Sequence, residues 1–399
     1  MLNAEIVNKD EEIIRFVDEL LGRAVKEGAT NIHVEPKKDY SSVRFRKNGD
    51  LYLVKGYEKI PKQLHQYIVS RFKTLTGTMK LDITRSPQDG KIVKRIQEKD
   101  IVFFTLTLPT IHGESVNLEN IDTEHLHISI DDFFSNDKKL IKIFKNNICR
   151  NDGMILFIGP TGCGKSTLIN SALTYINNPK LKISTVEDYV KIQLDNIEQL
   201  QVSQVTGTMA GMTRAACLGD ADVVYISTLS DYDTAFTAIE YAMKGCLLFS
   251  TLYVNSSIDV ISRLLEMGIK DYMIGTVVRC VVNLRLARKI CPHCKEKADY
   301  SKTDLKGLGL TEDEMTNKVF YKGKGCSKCS GTGILGRIAI IEIFEINKNI
   351  ASSMMKGYNR KELIKIAEKD GVYHTLTEDA IQKFKNGHID LNEVRYFII

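Results

Sequence analysis

No stretch of this 399-residue chain approaches the roughly 18 consecutive apolar residues of a membrane-spanning helix. The opening MLNAEIVNKDEEIIRF is acidic and lacks the apolar centre of a secretion signal. Internal repeats and low-complexity tracts are also missing, and no block of about five or six like charges occurs. With 43% hydrophobic and 26% charged residues, a disordered or collagenous chain is excluded. Lys and Arg number 55 against 50 Asp and Glu, a net +5 without a basic stripe, so no direct nucleic-acid partner is expected. What is left is a cytoplasmic globular chain of two or three domains, at about 150 residues each.

Nine cysteines are present. A disulfide framework is not expected in a large cytosolic chain. Cys149, Cys163, Cys217, Cys246 and Cys280 stand singly and read as small buried hydrophobes. The other four form two pairs, Cys291-Pro-His-Cys294 and Cys326-Ser-Lys-Cys329. Two such pairs complete a tetrahedral, closed and therefore structural Zn²⁺ site, with His293 a bystander. A redox-active pair is the rival reading. The separation exceeds that of a compact zinc ribbon, so an inserted subdomain over 291–333 is expected.

Hydrophobic periodicity divides the rest. Ile13, Ile14, Val17, Leu20, Leu21, Ala24 and Val25 recur at helical spacing up to Gly28. Strands are expected over 31–35, 42–46 and 51–54, the last two joined at Asn48-Gly49, a type I′ hairpin signal. A helix near 64–75 and strands through 92–121 complete an α+β domain over 1–121, followed by a polar linker at 122–135. From Met154 the runs MILFI, LKISTV, DVVYIS and CLLFST alternate with helical stretches. That alternation predicts α/β architecture with a parallel sheet over 136–399, ending in a buried strand near 338–346 and a helical tail.

Residues 159–167 read Gly159-Pro160-Thr161-Gly162-Cys163-Gly164-Lys165-Ser166-Thr167, between an apolar strand run and a helix. Glycines let backbone N–H groups turn toward phosphate oxygens, and the helix N-terminus adds a favourable dipole. Lys165 is placed to reach the β- and γ-phosphates of ATP, and Ser166 to ligate Mg²⁺. A glycine-rich turn with a surface lysine is the plainer alternative.

Several further stretches run in the order found in the secretion-motor ATPase superfamily of type II secretion and type IV pilus systems, the GspE/PilB/PilT group. GATNIHVEP with VRFRKNG resembles the opening domain of that family, LDITRSPQDGK its LDxxxRxPQDGR element, and TVEDYV its acidic box. STLYVN stands where the family has STLHxN. The paired cysteines, the G-x-x-G-R at 333–337 and the terminal HTLTEDAIQKFKNGHIDLNEV also correspond. The resemblance implies a sensor-like (PAS-like) α+β domain linked to a RecA-like P-loop ATPase domain carrying a small zinc insertion. It implies six-chain rings with nucleotide between the domains and a platform protein at the inner face of the cytoplasmic membrane. The tetra-cysteine element points to assembly or secretion rather than retraction. The resemblance further suggests that the extra N-terminal domain of many assembly motors is lacking.

This sequence departs from the family around one site. The Walker B run has Thr228 at the position of the catalytic glutamate and Ser230 at that of an arginine. Cys246 and Tyr253 replace two histidines, Glu119 an arginine, and Lys91 a second arginine. A threonine hydroxyl cannot take a proton from water as a carboxylate does. Glu187 in the acidic box remains to orient water, Asp222 to contact Mg²⁺, and Arg85 to contact phosphate from a neighbouring chain. The resulting expectation is an ATP-binding pilus or secretion motor subunit with slow or absent hydrolysis, in a homo-hexamer or a mixed hexamer with an active paralogue. A non-catalytic ring subunit and a zinc-containing nucleic-acid-dependent ATPase are the alternatives.

Overall fold

The computed structural model describes residues 9–121, 128–203 and 205–398. The chain divides into two compact units, Met1–His125 and Leu126–Ile399.

The first unit holds strands β1 (Asn31–Pro36), β2 (Tyr40–Lys47), β3 (Asp50–Leu53), β4 (Ile60–Pro61), β5 (Gln88–Ile96), β6 (Lys99–Thr110) and β7 (Gly113–Ile121). They form one sheet in the order β3-β2-β1-β7-β6-β5, with β4 on β2. Successive neighbours are antiparallel. Asn48 and Gly49 both take positive φ, 52° and 98°, as the tight β2–β3 turn requires. Helices Lys9–Glu27 and Lys62–Thr76 supply the apolar layer. Val17, Leu20, Leu21 and Ala24 from the first, and Ile68 and Phe72 from the second, are buried with Ile32, Val34, Phe45 and Phe103 of the sheet.

The second unit is built on β8 (Gly153–Ile158), β9 (Ile183–Glu187), β10 (Glu198–Gln201), β11 (Val223–Ile226), β12 (Leu247–Leu252) and β13 (Val278–Ile290). After it come β14 (Lys295–Ala298), β15 (Phe320–Gly323), β16 (Ile334–Glu345) and β17 (Tyr373–His374). The main sheet runs β10-β9-β11-β12-β8-β13-β16-β17. Pairs from β10 through β13 are parallel, and β16 and β17 close the edge antiparallel. Both faces are covered, which is why β8 and β12 are buried at every position. Met154, Leu156 and Ile158 pack into one layer, with helices Tyr232–Met243 and Asp259–Glu266. Ile155 and Phe157 pack into the other, with helices Lys138–Ile148 and Lys165–Ile176.

Two expectations change. Residues 122–127 of the expected linker lie outside the described residues, but 128–135 are not a linker. Ile130–Phe133 forms a helical turn capped by Ser129, and Ile130, Phe133 and Phe134 are buried in the second unit's core. Polar residues around three apolar ones hide that contact from a periodicity reading. Second, a strand not expected from the sequence, β13, runs for 13 residues to Ile290, parallel to β8 as far as Asn283 and paired beyond that with antiparallel β16. The segment 291–333 then forms the β14–β15 pair and two short helices, Lys302–Gly307 and Glu312–Asn317. Its Leu305, Leu308 and Phe320 share a core with Leu376, Phe384 and Val394 of the C-terminal helices.

Candidate functional site

In a parallel sheet, ligands meet the carboxyl ends of the strands. The loop leaving β8 does so here. Gly159, Gly162 and Gly164 have φ of 132°, 76° and 98°, a region costly for residues with a Cβ. At Gly159 a side chain is also excluded by space, since a Cβ would strike the Leu284 carbonyl and come within 2.8 Å of Cys163 Sγ. Helix Lys165–Ile176 then starts with Gly164 as its cap and no side chain bonding its first N–H groups. Several helices of the unit do receive such a bond, from Thr208 and Asp231 for example, while Asp259–Glu266 and Asp271–Val277 do not. The open end suits an anion.

Lys165 is only 8% exposed. Its ammonium donates to the carbonyls of Gly159 (2.7 Å) and Pro160 (2.9 Å) and lies 5.2 Å from the Tyr253 ring centroid. Burial pulls its pKa below the ordinary lysine value; Cys163 opposes that shift and Arg285 adds to it. Ser166 is exposed in the first helical turn.

The loop after β11 reaches the same end of the sheet. Its backbone is held on both sides: Ser227 N–H donates to Val186 O and Leu229 N–H to Thr251 O. Thr228 stands between them, and its buried Oγ1 has no hydrogen-bond partner among the described residues. Ser230 donates to Asp231 rather than facing phosphate as an arginine would. Asp231 caps helix Tyr232–Met243, accepting from Thr234 N at 2.9 Å. Desolvation works to raise its pKa, but the bonds from Thr234 and Ser230 leave it below the usual carboxylate value.

Glu187 ends β9 at this same edge, half-buried, accepting from Thr185 Oγ1 (2.7 Å) and Gln199 Nε2 (3.1 Å). Asp188 accepts from Ser227 Oγ at 2.6 Å, which ties the acidic box to the Thr228 loop. Between them Tyr225 is buried; desolvation first, then the charges of Glu187 and Asp188, push its phenol pKa up. Asp222 is not brought to this edge. It precedes β11, at the opposite end of a four-residue strand, about 13 Å away at 3.3 Å per residue. Its carboxylate accepts from Lys182 N at 2.8 Å instead. The Walker B resemblance suggested Asp222 as a Mg²⁺ contact, but the strand direction puts it at the other end. Arg85 is exposed on the loop before β5 in the first unit.

Residues that sequence reading passed over also gather here. Arg285 lies beside Gly159, and the fully buried Asn283 faces Glu342, which is 4% exposed and has its pKa raised by burial. Their signal was a polar residue inside each otherwise apolar strand, in VVNLRLA and AIIEIFE.

The four paired cysteines converge away from the phosphate loop in sequence. All four sulfurs lie within 4.8 Å of one another. Cys291–Cys326, Cys294–Cys329 and Cys326–Cys329 are 3.9, 3.8 and 3.7 Å apart. A tetrahedral ion with 2.3 Å metal–sulfur bonds requires sulfurs about 3.8 Å apart. Backbone N–H groups of Gly325, Cys326 and Gly333 donate to these sulfurs, which supports thiolates. The cluster fits one metal ion.

Residues 7–396 match the family model described as "Type II/IV secretion system protein". The chain is 34% identical over 390 residues to the type IV pilus assembly ATPase PilB of Pseudomonas aeruginosa, covering 96% of this chain and 67% of that one. It is 33% identical over 382 residues to PilB of Thermus thermophilus (95% and 42%). It is 32% identical over 387 residues to type II secretion system protein E of Xanthomonas campestris (96% and 66%). It thus spans between about two fifths and two thirds of these relatives' lengths. The fold is similar to that of the pilus retraction motor PilT solved with bound ADP, at TM-score 0.66 and 20% identity, covering 95% of this chain and 96% of that one. It is also similar to the Legionella pneumophila ATPase DotB, at TM-score 0.67 and 15% identity (96% and 94%).

Proposed function

The chain belongs to the type II/IV secretion system protein family, and from that premise we propose that it is an ATP-binding motor subunit of a type IV pilus assembly or type II secretion machine. The observation that carries this reading is the phosphate loop, with its three left-handed glycines, open helix N-terminus and buried Lys165. Gly159 to Thr167 would cradle the phosphates of ATP, Lys165 would neutralise the β- and γ-phosphates, and Ser166 would ligate Mg²⁺. ATP supplies the phosphoanhydride; the chain's own residues bind and orient it. Asp222 has no part in this, for the directional reason given above.

Hydrolysis depends on side chains, and here the site is thin. Glu187 is the acidic-box carboxylate proposed to orient water, its neighbour Asp188 being engaged by Ser227, and Arg85 of a neighbouring subunit is the remaining candidate for contacting phosphate across a ring. We infer a RecA-like ATPase unit preceded by a PAS-like unit, a structural zinc held by Cys291, Cys294, Cys326 and Cys329, and hexamers acting at a membrane platform protein. A second reading, a non-catalytic subunit of a mixed ring, is favoured by one observation: Thr228 at the glutamate position, its hydroxyl without a partner. ATP turnover by the purified chain, with oligomer mass measured on the same sample, separates the two. Turnover in a homo-oligomer supports the motor reading. Binding without turnover, restored only by an active relative, supports the second; failure to bind ATP at all overturns both.

A further inference from the structure

Arg285 sits on β13, which runs parallel to β8 with Asn283 opposite Ile158. Its side chain does not extend into solvent. Nη1 donates to Asn283 Oδ1 (2.9 Å) and Leu284 O (3.0 Å), and Nη2 donates to Asn255 O (3.2 Å). Asn255 follows β12, the strand on the other flank of β8. The guanidinium therefore bridges the carboxyl end of the phosphate-loop strand. It lies against the first residue of that loop, since a Cβ on Gly159 would be 3.0 Å from Nη1.

All three hydrogen bonds go to neutral oxygens, although burial disfavours the charged guanidinium and pulls its pKa down. A half-buried arginine that ties its own strand to the loop after β12, with no carboxylate among the described residues at hydrogen-bond distance and Glu342 acting on it only through its charge, is placed for geometry. The segment it reaches is anchored twice more: Asn283 Nδ2 donates to Asn255 O at 2.9 Å, and Ser257 N–H donates to Glu342 at 2.6 Å. At the β12 end of that segment, Tyr253 is 62% exposed with its ring 5.2 Å from Lys165 Nζ. Lys165 in turn donates to Gly159 O. The contacts close a circuit from Gly159 through Arg285, Asn255, Tyr253 and Lys165 back to Gly159.

We propose that Arg285 is a positioning residue of the nucleotide site, holding the phosphate loop and segment 253–257 in one register so that phosphate on Lys165 is sensed at Tyr253. A phosphate competes for the ammonium that now lies beside the Tyr253 ring, and the ring's distance from the loop is set by the Arg285 bridge. The proposal rests on the nucleotide-binding reading above and adds to it how occupancy is passed to a second loop.

The chain contains no tryptophan, so Tyr253→Trp introduces a single indole as the reporter. With the full chain and a non-hydrolysable ATP analogue plus Mg²⁺, the indole emission is expected to change on binding. Arg285→Gln in that background is expected to weaken analogue binding about tenfold, the scale of a lost charged hydrogen-bond set, and to diminish the emission change. Arg285→Lys is the deciding variant, because it keeps the charge but offers one nitrogen in place of a planar fork whose Nη1 serves Asn283 and Leu284 while Nη2 reaches Asn255. It should fold, shown by an unchanged circular dichroism spectrum, and still show weakened binding and a diminished signal. Parent-level affinity and emission change in Arg285→Lys would overturn the proposal. A distinct result, analogue binding undiminished by Lys165→Ala, would overturn the nucleotide-site reading itself.

Discussion

The loops leaving β8 and β11 belong to one sheet and reach one edge of it, yet they have fared differently. The first carries its complete equipment, much of it backbone: three glycines at positive φ and a helix start that no side chain caps. The second is equally well held as backbone, by bonds to Val186 and Thr251, but carries Thr228 and Ser230 where the family has a glutamate and an arginine. At its helix start the chain's own Asp231 supplies the cap that no side chain supplies at Gly164. The proposed phosphate binding thus draws mainly on backbone, whereas water activation would hang on single side chains. Binding and turnover are separable for that physical reason.

The sharpest break of this comparison is Lys165→Ala. Removing the ammonium should lower ATP-analogue affinity by about 100-fold or more, given about 1.5–3 kcal/mol for each charged hydrogen bond lost. Calorimetric titration checks it. Undiminished binding would show that the β8 loop is not the phosphate site.

Next is Thr228→Glu, which attempts to return the second loop to service. Since Thr228 Oγ1 has no partner to lose, the exchange breaks no hydrogen bond. A positioned general base contributes about 10²–10⁴ in rate, so turnover in a steady-state phosphate-release assay should rise by at least the lower figure if the remaining groups suffice. No rise would place the deficit also at Ser230 or beyond.

The cysteine cluster tests how local the comparison is. One zinc per chain is expected by mass spectrometry. Cys329→Ala should lower the melting temperature by several degrees, because sulfurs less than 4 Å apart lose their common ion. Analogue affinity should stay within about twofold if the two regions are independent. A large loss of affinity would join them.

Asp231→Ala probes the smallest difference, between a capped and an open helix start. Its loss should cost about 1 kcal/mol of stability at neutral pH, measured by denaturant unfolding. The folded carboxyl has a lowered pKa, so its contribution is present above the unfolded value near 3.8 and is lost as pH falls through the folded value. Wild type and variant should therefore converge in stability in that acid range and differ above it. Divergence on acidification would contradict the cap.

Much of this was legible in order along the chain. MILFI, DVVYIS and CLLFST form strands because they are buried on both faces, and Asn48-Gly49 turns because both residues accept positive φ. The strand Val278–Ile290 was not among the expected runs because Asn283, Arg285, Arg288 and Lys289 interrupt its apolar sequence, whereas in the fold such residues find partners, Arg288 at Glu393 for one. The turn at 130–133 was hidden for the opposite reason, three buried residues in a polar neighbourhood.

The sequence alone determined the phosphate loop, the acidic box, the four-cysteine set and the exchange at Thr228, because each is a matter of which residue type stands at which spacing. Tertiary structure decided direction and company. It put Asp222 at the far end of its strand from the loop it had been assigned to serve. It brought Tyr253, from the end of β12, to Lys165, and Arg285, from β13, to Asn255 of the same β12 loop. Spacing along a chain carries no information on which end of a strand faces a ligand or which distant loops share it; strand order and parallel pairing do.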